Sequence, residues 1–180
     1  MQNQVEVKLA VVGVSRDCFP ASLTKKRLAA LMDEVAKQGV KGVVACPVTI
    51  ENENDSLAAL DWVRKEGVNA CCMFLGNFGP EGPTTLFVQK FAGPAMVLAA
   101  REENRGVLAS DRGDALCGVL NFSYNVGLRR LKVYIPEYPN VTPAEGAKEL
   151  ADFVKIARIV IGIKNLKVFG FGPRPYDFLA

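Results

Sequence analysis

The stretch Val5-Glu6-Val7-Lys8-Leu9-Ala10-Val11-Val12-Gly13-Val14 alternates apolar and charged residues and then turns continuously apolar. Alternation marks a strand covered on one face. A continuous apolar run marks one covered on both, as when helices flank a parallel sheet. The next thirty residues fit that reading. After the loop Ser15-Arg16-Asp17-Cys18-Phe19, Pro20 suits a first helical turn. Leu28, Leu31, Met32, Val35 and Ala36 then recur at helical spacing, and Gly39 ends the run.

The same unit repeats along the chain. Gly42-Val43-Val44-Ala45-Cys46 reads as a second strand. A polar turn over 51–56 leads into a helix with Leu57, Leu60 and Val63 inward, stopped by Gly67. Ala70-Cys71-Cys72-Met73-Phe74-Leu75 is a third strand, followed by the loop Gly76-Asn77-Phe78-Gly79-Pro80-Glu81-Gly82-Pro83 and a short helix reaching about Lys90. Ala95-Met96-Val97-Leu98-Ala99 is a fourth strand. Asp111 and Asp114 open a helix in which Leu116, Val119, Leu120 and Ser123 share a face. Lys132-Val133-Tyr134-Ile135 is a short extended piece. Thr142-Pro143-Ala144-Glu145 is a helix start with a capping threonine, a proline first inside and a glutamate reaching back. Leu150, Phe153, Val154, Ala157 and Ile161 form its buried stripe. Leu166-Lys167-Val168-Phe169-Gly170-Phe171-Gly172 reads as a last strand, before Pro173-Arg174-Pro175. Alternating strands and helices predict an α/β fold: a three-layer, doubly wound (Rossmann/flavodoxin-like), mostly parallel sheet. Residues 1–180 are expected to form a single α/β domain, the N-terminal part of a longer multidomain protein.

Composition narrows the chemistry. The chain has 180 residues, of which 49% are hydrophobic, enough for one core. No apolar run approaches the ~18 residues of a membrane span. The polar start Met1-Gln2-Asn3-Gln4 does not resemble a signal peptide. Five cysteines (Cys18, Cys46, Cys71, Cys72, Cys117) have no metal-finger spacing and read as free thiols, so a reducing cytoplasmic location is expected. A net charge of +3 is too small to imply nucleic acid, and the basic clusters Lys25-Lys26-Arg27 and Arg129-Arg130 read as solvated helix faces. The chain has no histidine, which removes Ser-His and Cys-His nucleophile pairs and makes zinc improbable. No catalytic and no metal-binding residue is assigned.

Ligands of open α/β sheets bind beyond the carboxyl ends of the strands. Here those ends carry Ser15-Arg16-Asp17, Pro47-Val48-Thr49, Gly76-Asn77-Phe78-Gly79, Ala100-Arg101 and Gly172-Pro173-Arg174. Arg16 is the sharpest candidate, because a guanidinium presents a planar fork of donors to carboxylates, phosphates or hydroxyls. The alternative is an arginine paired with a neighbouring acid. Asn77 and Phe78 would offer an amide and a ring to a polyol, or simply sit in a tight glycine loop. Neither the dinucleotide fingerprint nor a P-loop is present. Glu51, Glu53 and Asp55 favour a capped helix start over a metal site, and Glu102-Glu103 and the Asp111/Asp114 pair are read likewise. Cys71 and Cys72 point to opposite faces of one strand. Trp62 reads as a helix packing residue.

The segments around Val11-Val12-Gly13-Val14-Ser15-Arg16-Asp17, Gly76-Asn77-Phe78-Gly79, residues 91–99 and Val168-Phe169-Gly170-Phe171-Gly172-Pro173-Arg174-Pro175 together resemble the N-terminal region of L-fucose isomerase/L-arabinose isomerase-like proteins. The resemblance implies the N-terminal domain of an aldose–ketose isomerase. Its family uses Mn²⁺ held by residues of later domains, so no cofactor is expected within this chain, and this chain alone is expected to be inactive. It also implies contact with a sugar substrate through Arg16 and the Asn77-Phe78 loop, and contact with neighbouring subunits of a homo-oligomer, without nucleic acid or membrane partners. A stand-alone sugar- or metabolite-binding module, or an assembly module without catalysis, remains the alternative. An FMN-binding flavodoxin fits less well, because the first loop has no hydroxyl-rich phosphate cradle.

Overall fold

A computed structural model describes residues 4–103 and 112–172. Five strands and five helices alternate: β1 (Leu9–Val14), α1 (Ala21–Lys37), β2 (Val43–Ala45), α2 (Glu53–Lys65), β3 (Ala70–Leu75), α3 (Glu81–Lys90), β4 (Ala95–Ala100), α4 (Ala115–Leu128), β5 (Asn140–Val141) and α5 (Pro143–Lys164). All strand pairs are parallel and the order is β2-β1-β3-β4-β5. The expected α/β, doubly wound architecture is therefore what the chain adopts. The order reverses between β1 and β3, so the switch point lies between the loops that come after those strands.

Alternation within the strands sorts the core into two layers. Ala10, Val12, Val14, Cys71, Met73, Leu75, Val97 and Ala99 pack under α2, α3 and α4. Leu9, Val11, Cys72, Phe74, Met96 and Leu98 pack under α1 and α5. Every residue of β1, β3 and β4 is buried, which is why those runs read as continuously apolar. Cys71 and Cys72 fall on opposite faces, and burial pushes both thiols up. Cys46, also buried, is pushed up to about 11. Trp62 packs at the edge of the first layer.

The helix starts obey local chemistry. Asn52 and Asp55 form a reciprocal capping box at α2, and Thr142 and Glu145 form another at α5, with Pro143 first inside. Of the three acids there, Asp55 completes the cap and Glu53 lies in the first turn of α2. Gly39 and Gly67 carry positive φ just past α1 and α2.

Three expectations are corrected. Residues 166–172 join no strand ladder, and Leu166, Val168, Phe169 and Phe171 are exposed. The outer strand β5 is only two residues long, so it offers almost nothing for a further strand to pair with. Leu57, expected to point inward from α2, is exposed, whereas the short extended piece at 132–135 is as expected and bridges Met96 through Tyr134. In α4 the buried face is Ala115, Gly118, Val119, Phe122 and Val126, while Leu116 and Leu120 face outward. Asp111 and Pro173, Arg174 and Pro175 lie outside the described residues.

The layer assignment predicts a contrast between two phenylalanines. Phe153 on α5 is 1% exposed and Phe171 is 99% exposed. Phe153→Ala should cost about 3–5 kcal/mol through lost burial and a residual cavity, and Phe171→Ala within about 0.5 kcal/mol. Urea denaturation measures both, and equal losses would contradict the layering.

Candidate functional site

The β3–α3 loop leaves the sheet against α1. A Cβ on Gly76 would sit 2.5 Å from the Thr24 Cα, so only glycine lets the loop pass. Gly79 then turns the chain with φ +71°. Between them Asn77 is fully buried, and its side chain staples the loop to the end of β1. Its Oδ1 accepts from the Arg16 backbone N–H at 2.9 Å and from the Gly79 N–H at 3.3 Å. Its Nδ2 donates to the Ser15 Oγ at 2.8 Å. The two loops at the switch point are thereby one unit.

Arg16 lies half-buried across this unit. Its Nε donates to the Gly79 carbonyl at 3.1 Å, and its Nη2 pairs with the Glu81 carboxylate. Its guanidinium carbon stands 4.7 Å from the centroid of the Phe78 ring, a cation–π contact. Phe19 stacks on the same ring, with centroids 6.5 Å apart and planes 3° from parallel. The other Glu81 oxygen accepts from Asn121 of α4. Two of the five guanidinium N–H groups of Arg16 are used by described residues, which leaves three for a ligand or water.

A second arginine supports the first. Arg27 of α1 is 7% exposed, not solvated as its place in a basic cluster suggested. It donates to the Gly76 carbonyl at 2.7 Å and pairs with Glu102 at 2.7 Å. Glu102 also accepts from the Gly113 N–H at 3.1 Å, just before α4. One partly buried ion pair thus joins the ends of β3 and β4 to the start of α4. A Cβ on Gly113 would stand 2.6 Å from the Arg27 Nη1, so a side chain there would displace the guanidinium from its partners.

Of the residues singled out in the sequence, the structure brings Arg16, Asn77 and Phe78 together. Asn77 has its polar atoms committed within the protein, whereas Arg16 and Phe78 keep partial exposure. Arg101 is set apart, held by Glu145 and the Asn140 carbonyl. Glu81, Asn121, Phe19, Arg27 and Glu102 belong to the cluster and were not assigned to it from sequence. Phe19 and Glu81 stand in the loops read after the first and third strands, which was the local signal for them; Asn121, Arg27 and Glu102 had none.

These features define a class: a flavodoxin-like α/β domain with its polar loops gathered at the switch point. Residues 10–164 match the family described as the fucose/sulfoquinovose isomerase N-terminal domain, and the chain belongs to that family. No curated protein and no solved structure matches it. No helix among the described residues is long and apolar enough to cross a membrane.

The Arg27–Glu102 pair predicts an acid-sensitive joint. Burial pushes the Glu102 carboxyl up, but hydrogen bonds and charge from Arg27, with the Gly113 and Ala115 amides, outweigh it and hold the group below its ordinary 4.5. A carboxyl lowered on folding stabilises fully above its unfolded pKa and loses that contribution as pH falls through the folded value. Urea midpoints should therefore fall on acidification below the ordinary glutamate range, and Glu102→Gln should flatten that fall. Parallel profiles for the two proteins would count against the pair.

Proposed function

We propose that this isomerase-family domain supplies substrate contacts, with Arg16 and Phe78 facing the sugar of an aldose–ketose isomerisation. The observation that carries the reading is the strand-end arginine, braced by Asn77 and stacked on Phe78, with three guanidinium donors left over. Sugar hydroxyls accept hydrogen bonds, and the C–H faces of a sugar ring pack on aromatic rings, so the pair suits a polyol. Asn77 acts as a positioning residue through its hold on the Arg16 backbone. Because Glu81 offsets the charge of Arg16, the neutral sugar in the family's description suits the cluster better than the sulfonated one.

The Mn²⁺ that such isomerases use would polarise sugar oxygens. Among the described residues no three His, Cys, Asp or Glu side chains converge to hold an ion, and Glu81 and Glu102 are turned to arginines. The described residues around Arg16 therefore suit substrate positioning, and no proton transfer is assigned to them. Contacts with neighbouring subunits and a place in carbohydrate metabolism in the cytoplasm belong to the same reading.

In the assembled isomerase, Arg16→Ala should lower kcat/KM for the aldose about 10- to 100-fold, the loss of one charge-assisted hydrogen bond. Arg16→Lys should restore part of it. Unchanged kcat/KM for every aldose tested would reject the assignment. A second reading has its own support, since Arg16 already has an acidic partner in Glu81. In that reading the cluster is a loop brace of a binding or assembly module, and Arg16→Ala would lower stability while leaving turnover alone.

A further inference from the structure

Arg27 spends only part of its guanidinium on the contacts described above. Its Nη1 donates to the Gly76 carbonyl at 2.7 Å, and Glu102 meets Nη1 and Nη2 end-on, at 3.4 and 2.7 Å. The other edge of the group carries the Nε–H beside the second N–H of Nη2. That Nε is buried and has no partner among the described residues, on a side chain only 7% exposed. A buried donor without an acceptor costs its desolvation in full, so the group calls for an acceptor.

Arg27 also walls a cavity of about 70 Å³ at the ends of β4 and β5. Leu31 of α1, Phe74 of β3, Ala100 of β4 and Val141 of β5 make the other walls largely carbon. The charged residues lining it are Lys26, Arg27, Arg101 and Glu103, three cations against one acid. Glu102 and Glu145, which pair with Arg27 and Arg101, stand outside the lining. Lys26 and Glu103 meet loosely, 3.7 Å apart and both exposed, and so neutralise each other little. Thr142 and Pro143 bring the positive end of the α5 dipole to the same space.

We infer that this cavity is a binding site for a short-chain monocarboxylate, whose two oxygens accept from the Nε and Nη2 edge of Arg27 and whose alkyl part lies on Leu31, Phe74 and Val141. Geometry and size select that class. A planar carboxylate matches two parallel N–H groups. At about 30 Å³ per water, the cavity has the space of roughly two waters, too little for a sugar ring. A tetrahedral phosphate would turn oxygens toward carbon walls that offer them no donor. The site is distinct from the sugar contacts proposed at Arg16. The two adjoin through Gly76, because the guanidinium that takes the acid also holds the first residue of the Asn77-Phe78 loop.

Propionate tests the site on the full chain, by titration calorimetry and by the arginine Nε–H signals in NMR spectra. The wild type should show one saturable site with a Kd of about 1–10 mM, weak because so few ligand atoms make contact, and a shift of the Arg27 Nε–H signal. Propionamide, of the same shape without the charge, should bind at least about tenfold more weakly. Arg27 braces a loop, so the variant of choice is Ala30→Leu. Ala30 lines the cavity from a partly exposed position on α1, and leucine is a good helix former. The added side chain should abolish propionate binding with circular dichroism unchanged. Arg16→Ala should bind propionate as the wild type does, which lets this site and the sugar reading fail separately. Three results would overturn the inference: no saturable binding well above about 10 mM propionate, binding that survives Ala30→Leu, or equal binding of propionamide.

Discussion

Three adjacent strands, β1, β3 and β4, contribute eighteen ladder positions and expose none of them. A sheet without a wet face needs helices on both sides, and parallel pairing provides them through the crossovers. It also has no place inside for an uncompensated polar side chain. The polar groups of this chain therefore collect where the ladder ends. At the switch point the β1 and β3 ends diverge, and the buried Asn77 amide bridges the backbone and side-chain groups left there. The site arises from that need, since the loop that Asn77 fixes is the one that aims Arg16 and Phe78.

Elements whose instructions are local were legible in the sequence. The third strand was read over the residues it occupies, because all six are apolar and a glycine stands near each end, at Gly67 and Gly76. The α5 start was legible because threonine, proline and glutamate complete a capping box within four residues. Residues 166–172 misled because a β-rich run needs an open edge to join, and edges are a property of the whole sheet. In α4 two apolar stripes compete on one helix with no charge to mark the wet side, so periodicity alone could not say which one turns inward.

The site divides along the same line. Arg16 and Phe78 were visible because strand ends can be located from strands. Glu81, Asn121 and Glu102 were not, because each meets its partner across 40 to 75 residues of sequence. Arg27 shows the reverse difficulty. Inside a Lys-Lys-Arg run it looks solvated, yet helical geometry turns it about 100° from its neighbour and under the β3–α3 loop.

Two buried or half-buried arginines at one end of a sheet need a reason, since an unpaired buried cation is costly. Each has one carboxylate, and each carboxylate has a second donor: Asn121 for Glu81 and the Gly113 amide for Glu102. Both second donors belong to α4 or its approach. The position of α4 therefore bears on both arginines at once, through Glu81 on one side and Glu102 on the other. The Arg16 cluster and the start of α4 are thus joined by one short chain of hydrogen bonds and ion pairs.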